Sequence, residues 1–359
     1  MDHSTGSRSS SGEPSPLVAV VRALTRPDLG PLVALLIVTA VFAIADQLWG
    51  RGFFATQYNL RLVLQTAAIV AVPALGMTVI IIAGGIDLSA GTATSLCAVV
   101  LAYGLEQRLG WPMAVGCTVL TGVLCGLLNG ALIIATRIVP FVVTLGTMTM
   151  FVGFGSLLTK ELSLTPRKET YPTWLHDLSF ANLSDLGFLP VELIPLSPVV
   201  AGLAAIFMAV LLHSTVFGRW IFAVGSNERT ARLAGIPVDW VKLVVYGLGG
   251  AYIALGSLYM FSKTKEASAN SGIGLELQFI AAVVIGGGSL SGGRGSVIGT
   301  LAGATLAAVI ESGCIQLGLG TPTQRIIIGV AIISAVALDK MRAEPPEWLS
   351  RILPRMSSE

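Results

Sequence analysis

The chain has 359 residues, of which 53% are hydrophobic and 12% are charged, and its mean hydropathy is +0.80. A soluble domain carries about 25% charge, so this composition excludes an ordinary globular protein and identifies a polytopic membrane protein. A net charge of +2, with no basic–aromatic array, excludes nucleic acid as a partner.

Residues 1–30 read as a cytoplasmic tail whose Ser/Gly-rich start is disordered. No cleavable signal pattern precedes the first apolar run, which begins near Pro31 and is long enough to span. Further apolar segments follow, giving 31–49, 62–83, 90–105, 113–136, 141–159, 197–216, 241–261, 275–288, 296–318 and 323–339. Measured against a hydrocarbon core of ~30 Å, they predict an all-α polytopic membrane protein. About ten transmembrane helices are expected, including short or re-entrant segments. The segment 275–288 is too short for a full crossing and suits a half-helix. The transmembrane domain covers 31–340, and 341–359 form a second cytoplasmic tail. Cys97, Cys117, Cys125 and Cys314 lie inside apolar spans and read as small buried hydrophobes, not disulfide or metal partners. His3, His176 and His213 have no ligand-like spacing, so no metal site is expected.

Lys and Arg set the orientation. With the N-terminus inside, Arg8, Arg22, Arg26, Arg137, Arg219, Arg229, Arg232, Lys242, Arg294, Lys340, Arg342, Arg351 and Arg355 face the cytoplasm. The long loop 160–196 places Lys160, Arg167 and Lys168 against Glu161, Glu169, Asp177, Asp185 and Glu192, and its acidic balance suits the outside.

Residues 223–239 form a polar island on the cytoplasmic side that reads as a short helix with both ends marked. Asn227 (or Ser226) caps its first turn, and Glu228 suits the positive end of the helix dipole. Gly235 closes it and Pro237 forbids continuation. Arg229 and Arg232 share a face at i,i+3 spacing, with Leu233 beside them. A capped basic helix in a membrane-protein loop reads as a partner-docking element; the alternative is an ordinary solvated helix.

Gly84-Gly85-Ile86-Asp87-Leu88-Ser89-Ala90-Gly91 returns as Gly286-Gly287-Gly288-Ser289-Leu290-Ser291-Gly292-Gly293. This predicts an internal repeat of the kind that transporters build around interrupted helices. Gly84, Gly85, Gly91 and Gly287 permit bends and close approach, while Ser89, Ser289 and Ser291 can line a wet cavity. Asp87 should face protein, water or a helix end. Path-lining and helix-end packing are both open for these residues. Asn129, Thr144 and Thr147 are the other polar candidates within spans; hydrogen bonding between helices is the plainer role for each. Asp46, Glu311 and Asp339 sit near span ends, close to water. No chain of ionisable groups runs through the spans, which argues against a proton-driven carrier. No G-x-x-x-x-G-K-[ST] loop occurs, and no catalytic constellation is visible, so the chain does not read as an enzyme.

The run Leu75–Gly91, the triplet Leu128-Asn129-Gly130, Pro140–Met148, the loop from Phe217 through Ile236, and the second glycine motif continuing to Gly299 together resemble the inner-membrane permease subunits of ribose-type sugar ATP-binding-cassette importers. The resemblance covers 31–340. It implies a second permease copy, identical or a sister chain, cytoplasmic ATPase subunits that use ATP and Mg, and an extracytoplasmic sugar-binding protein. No cofactor would be bound by this chain itself. It further implies that Ser226, Asn227, Glu228, Arg229, Arg232, Leu233 and Gly235 dock on the ATPase and transmit its motion. A central path would then run along the dimer interface past the glycine motifs and open to one side at a time. Ala90 stands where the family commonly has Val, Glu311 where a polar uncharged residue is usual, and loop 160–196 varies. These departures leave a nucleoside, a polyol or a signalling sugar as alternative solutes to a ribose- or xylose-like sugar. An ion-coupled carrier is the alternative mechanism.

Overall fold

A computed structural model describes residues 30–50, 52–182, 184 and 195–343. The N-terminal tail with Arg8, Arg22 and Arg26, the loop acids Asp185 and Glu192, and the tail beyond Ala343 lie outside the described residues.

Every predicted apolar segment is a helix. The elements are α1 (Gly30–Trp49), α2 (Gln57–Ile82), α3 (Ala90–Glu106), α4 (Trp111–Thr136), α5 (Pro140–Thr159), α6 (Thr173–Phe180), α7 (Leu196–Ser214), α8 (Val216–Ser226), α9 (Glu228–Leu233), α10 (Val238–Thr264), α11 (Leu275–Ile285), α12 (Val297–Gln316) and α13 (Thr321–Ala343). Among the described residues no named strand occurs, only isolated bridges such as Leu164 with Ala267. Seven of the helices, α1, α2, α4, α5, α7, α10 and α12, are long and apolar enough to cross a membrane. The chain is therefore a multi-pass membrane protein. The apolar helices α3, α8 and α11 are shorter.

Helix ends follow local chemistry. α2 begins earlier than its apolar run because the Thr56 hydroxyl accepts the Asn59 N–H at 3.2 Å. α8 was not expected. Thr215 caps it by accepting the Gly218 N–H at 3.0 Å. Its Phe217 and Trp220 rings lie edge-on to Trp240 of α10, with centroids 5.4 and 6.4 Å away. These edge-to-face contacts fasten α8 to α10.

The loops fall at two ends of the bundle. One holds the ends of α2 and α11, the α4–α5 turn, and α8–α9, with Arg137, Arg219, Arg229, Arg232, Lys242 and Arg294; it is the basic end. The other holds the α3–α4 turn and residues 160–182, where Trp111 and Trp174 meet edge-on at 5.5 Å. α2, α10 and α12 are mostly buried, while α1, α5 and α7 turn wide apolar faces outward.

α4 and α10 approach each other closely. Gly122, Gly126 and Gly130 form one face of α4 and lie against Gly250, Tyr246 and Leu243 of α10, backbone to backbone. Spacing of four residues puts all three glycines on one stripe, and without Cβ atoms the helices gain dispersion contact that lipid cannot supply better.

Two expectations change. Asp46 is not close to water: it is 1% exposed, and its Oδ2 accepts the Phe54 N–H at 2.7 Å, because the segment after α1 folds back and stacks Phe54 near Phe42. The cysteines are free; Cys97, Cys125 and Cys314 are buried, but Cys117 is only half-buried.

Candidate functional site

Two glycine-rich ends meet at the basic end of the bundle. α2 closes with Gly84 at φ +82° and α11 with Gly287 at φ +88°. In the first, Gly84 N bonds Ile81 O at 2.9 Å and Gly85 N bonds Ile80 O at 2.9 Å. In the second, Gly287 N bonds Val284 O at 2.9 Å and Gly288 N bonds Val283 O at 2.8 Å. Both are helix caps that need a left-handed residue. By cap geometry Gly84 corresponds to Gly287, not to Gly286, one residue off the pairing of the sequence motifs.

Beyond the caps the motifs diverge. Residues 86–89 run back into the bundle to start α3, whereas Ser289–Arg294 close a turn through Ser289 N to Arg294 O at 3.1 Å. That turn lies across the end of α2, with Gly293 N donating to Ile82 O at 2.8 Å. Gly225 of α8 packs on the same carbonyl so closely that any Cβ there would overlap it. Gly84, Gly225 and the Gly292–Gly293 turn thus form a three-way backbone junction. Beside it is a cavity of about 240 Å³ lined by Gly84, Gly85, Ser226, Asn227, Glu228, Lys242, Tyr246 and Ser291, among others. Residues from both sequence-identified sets share its wall.

The polar candidates form a second cluster, deeper in the bundle. Asp87 Oδ1 accepts from Ser89 N at 2.8 Å and from Ser89 Oγ at 2.6 Å. Asn129 of α4 donates to Ser89 Oγ at 2.8 Å and to both Asp87 oxygens at 3.3 and 3.4 Å. Thr147 of α5 completes the chain by donating to Asn129 Oδ1 at 2.6 Å. Thr144 holds the same segment by accepting the Leu88 N–H at 3.1 Å. All five side chains are buried, and Asp87 sits at the start of α3, where the helix dipole favours a carboxylate. The arrangement ties 86–89 to α4 and α5. Asn129→Leu leaves Asp87 and Thr147 short of partners at a cost of about 1–3 kcal/mol. A thermal denaturation series in detergent should show a clear drop in midpoint, with Thr147→Val losing less.

α9 carries the capping chemistry read from the sequence. Asn227 Oδ1 accepts the Thr230 N–H at 3.0 Å, Glu228 opens the first turn, and Gly235 at φ +81° follows the last. The helix is braced on α10: Lys242 reaches Glu228 at 2.7 Å and Arg232 reaches Asp239 at 2.8 Å. The Asp239 carboxylate, through hydrogen bond and charge, raises Arg232 further above its ordinary range. Arg232 is therefore committed within the chain, whereas Arg229 makes no ion pair among the described residues. Leu233, four residues on from Arg229, is 90% exposed.

One residue was missed. Glu276, in the first turn of α11, is buried inside the bundle. A carboxyl within an otherwise apolar run was the available signal. It lies where two interrupted crossings meet: Gly91 of α3 packs on Glu276, and Gly272 N donates to Ser95 Oγ at 2.5 Å. From this level α3 runs toward the end with Trp111, and α11 runs toward the basic end, so the two short helices point in opposite directions.

Residues 58–336 match the family model described as branched-chain amino acid transport system / permease component. The chain is 34% identical over 315 residues to the ribose import permease protein RbsC of Bacillus subtilis (strain 168), covering 88% of this chain and 93% of that one. It is 35% identical over 292 residues to the autoinducer 2 import system permease protein LsrD of Klebsiella pneumoniae subsp. pneumoniae, covering 80% and 85%. To the LsrD protein of Enterobacter sp. (strain 638) it is 36% identical over 283 residues, covering 78% and 84%. No solved structure matches the chain.

Proposed function

We propose, because this chain belongs to the branched-chain amino acid transport system permease family, that it is the membrane-embedded subunit of an ATP-driven importer carrying a monosaccharide or a related sugar-like solute into the cell across the inner membrane. Relatives named for ribose and autoinducer 2 import support the solute class. ATP and Mg belong to partner ATPase subunits, a binding protein delivers the solute from outside, and a second permease copy completes the path.

The observation that carries the mechanism is the position of α9. It presents Leu233 and Arg229, which has no ion pair among the described residues, to a partner, is braced to α10 by two ion pairs, and joins through α8 to the glycine junction at Gly84, Gly225 and Gly293. A braced helix moves as a unit, so a push on α9 displaces the ends of α2 and α11 together. Access alternates as these ends tilt. Asn227, Glu228 and Gly235 keep α9 formed, while Ser226 is not its cap but ends α8 beside the cavity. The Asp87–Ser89–Asn129–Thr144–Thr147 network holds the 86–89 segment rigid, so that motion at Gly84 and Gly85 is passed to α3. Ser289 and Ser291 would move with the turn that covers α2.

Docking is tested by Arg229→Glu combined with Leu233→Asp. ATPase subunits should fail to co-purify, while the permease still inserts in the membrane. Arg232→Glu should differ, weakening the α9–α10 brace and lowering stability. Retained co-purification and uptake in the double variant would remove α9 from the docking role.

The buried carboxyls of Asp87 and Glu276 give an ion-coupled carrier more support than the sequence did. That reading requires uptake to continue without any ATPase subunit.

A further inference from the structure

Building on the importer reading, we propose that Glu276 is a specificity-determining residue of the translocation path, where its carboxyl group accepts hydrogen bonds from the hydroxyls of the transported solute at the meeting point of α3 and α11. Glu276 is 5% exposed, and its carboxyl is bonded by backbone N–H groups alone. Gly274 N donates to each of its oxygens at 3.0 Å, and no lysine, arginine or histidine pairs with it among the described residues. A carboxylate offers about four acceptor positions, and among the described residues only the backbone N–H groups of Gly274 and of Glu276 itself serve them. Buried polar groups are otherwise paired, and leaving acceptors empty in an apolar interior is costly. The remaining positions are open to a donor on a bound solute.

The surroundings show from where. On the bundle side the carboxyl is closed off by Gly91, whose Cβ would overlap Glu276 Oε2, and by Gly272, locked to Ser95. On the other side Gly274 has open space where a side chain would stand. Asn270, Ser271 and Ile273 beside it are exposed, and Gln278 is half-exposed. Amides and hydroxyls on the outer flank of a mid-bundle segment do not suit lipid. They suit a wet path shared with a second copy. A polyhydroxyl solute supplies paired O–H donors to the two carboxyl oxygens and accepts from the amides beside them. A site built to bond a hydroxyl strongly rejects analogues that lack it or hold it elsewhere.

The test uses the permease with its ATPase and binding protein in proteoliposomes, with uptake measured for ribose, arabinose, xylose, lyxose and 2-deoxyribose. Glu276→Gln should lower uptake of the preferred sugar at least tenfold and change the ranking among the others, with assembly intact. Unchanged rate and ranking would overturn the proposal, because a group that only caps α11 would not set selectivity. A second arm holds if that variant does not fold. Ile273→Cys, with the four native cysteines replaced by alanine, should react with a membrane-impermeant, water-soluble thiol reagent and be protected during turnover with the loaded binding protein. Reaction only with a lipid-soluble maleimide would place this flank in lipid and overturn the proposal. A wild-type complex that takes up no sugar under ATP would instead defeat the importer reading, and the thiol arm would still report whether Glu276 borders water.

Discussion

Gly126→Val should abolish folded protein, whereas Gly153→Val should leave accumulation and stability close to the parent. The two glycines look alike in sequence, each within an apolar span. Gly126 faces α10, and a Cβ there would overlap the Tyr246 carbonyl oxygen, a backbone atom that cannot rotate away. Gly122 and Gly130 on the same stripe hold the helices at that separation, so α4 cannot shift locally. Overpacking a rigid core costs about 1–3 kcal/mol for added methylenes, and here the whole α4–α10 seam must part. It carries Asn129 with it, so the buried network also loses its centre. Gly153 on α5 has open space around it. Size-exclusion profiles of both variants in mild detergent decide the matter. A monodisperse Gly126→Val protein with parental thermal stability would show that the seam has slack.

Gly225→Ala should separate ATP hydrolysis from transport. Its added methyl overlaps the Ile82 carbonyl, which also accepts the Gly293 N–H at 2.8 Å. One of these contacts must open, and the junction between α8 and the ends of α2 and α11 then no longer moves as one. The docking face of α9, on the far side of Asn227, is untouched. ATPase subunits should still co-purify and hydrolyse ATP, while uptake per ATP falls at least tenfold. Gly85→Val and Gly287→Val, on the two caps, should likewise block transport without dissociating the complex. Full coupled uptake in Gly225→Ala would mean that motion reaches the bundle by another route.

Much of this architecture is written in local sequence. Apolar runs mark the ten helical segments, of which seven are long and apolar enough to cross a bilayer, and the ends of α9 are legible in Asn227, Gly235 and Pro237, since capping is a property of a few neighbouring residues. α8 was not legible as a separate element, because it is short and follows directly on the α7 run. It is amphipathic, and its cues were Thr215 as a cap and Phe217, Trp220, Ile221 and Val224 at helical spacing. The glycine motifs were visible, but their correspondence was one residue off, because letters were aligned where the left-handed cap position is what matches. Long-range partners could not be read at all. Asp87 meets Asn129 42 residues away, and Glu276 meets Gly91 about half the chain away. Asp46 looked wet only because it stands near a helix end; the fold-back of Phe54 is a tertiary event.

The central claim is that ATP-driven motion delivered at α9 moves a sugar through this permease. The most direct measurement is ATP hydrolysis and solute uptake together, in lipid, with the cognate ATPase and binding protein. The screen should span pentoses, hexoses, polyols and nucleosides. One loaded binding protein should stimulate hydrolysis, with uptake of the same sugar in step and both lost in the Arg229→Glu, Leu233→Asp variant. Uptake that survives removal of the ATPase, with no loaded binding protein stimulating hydrolysis, would contradict the account and favour an ion-coupled carrier.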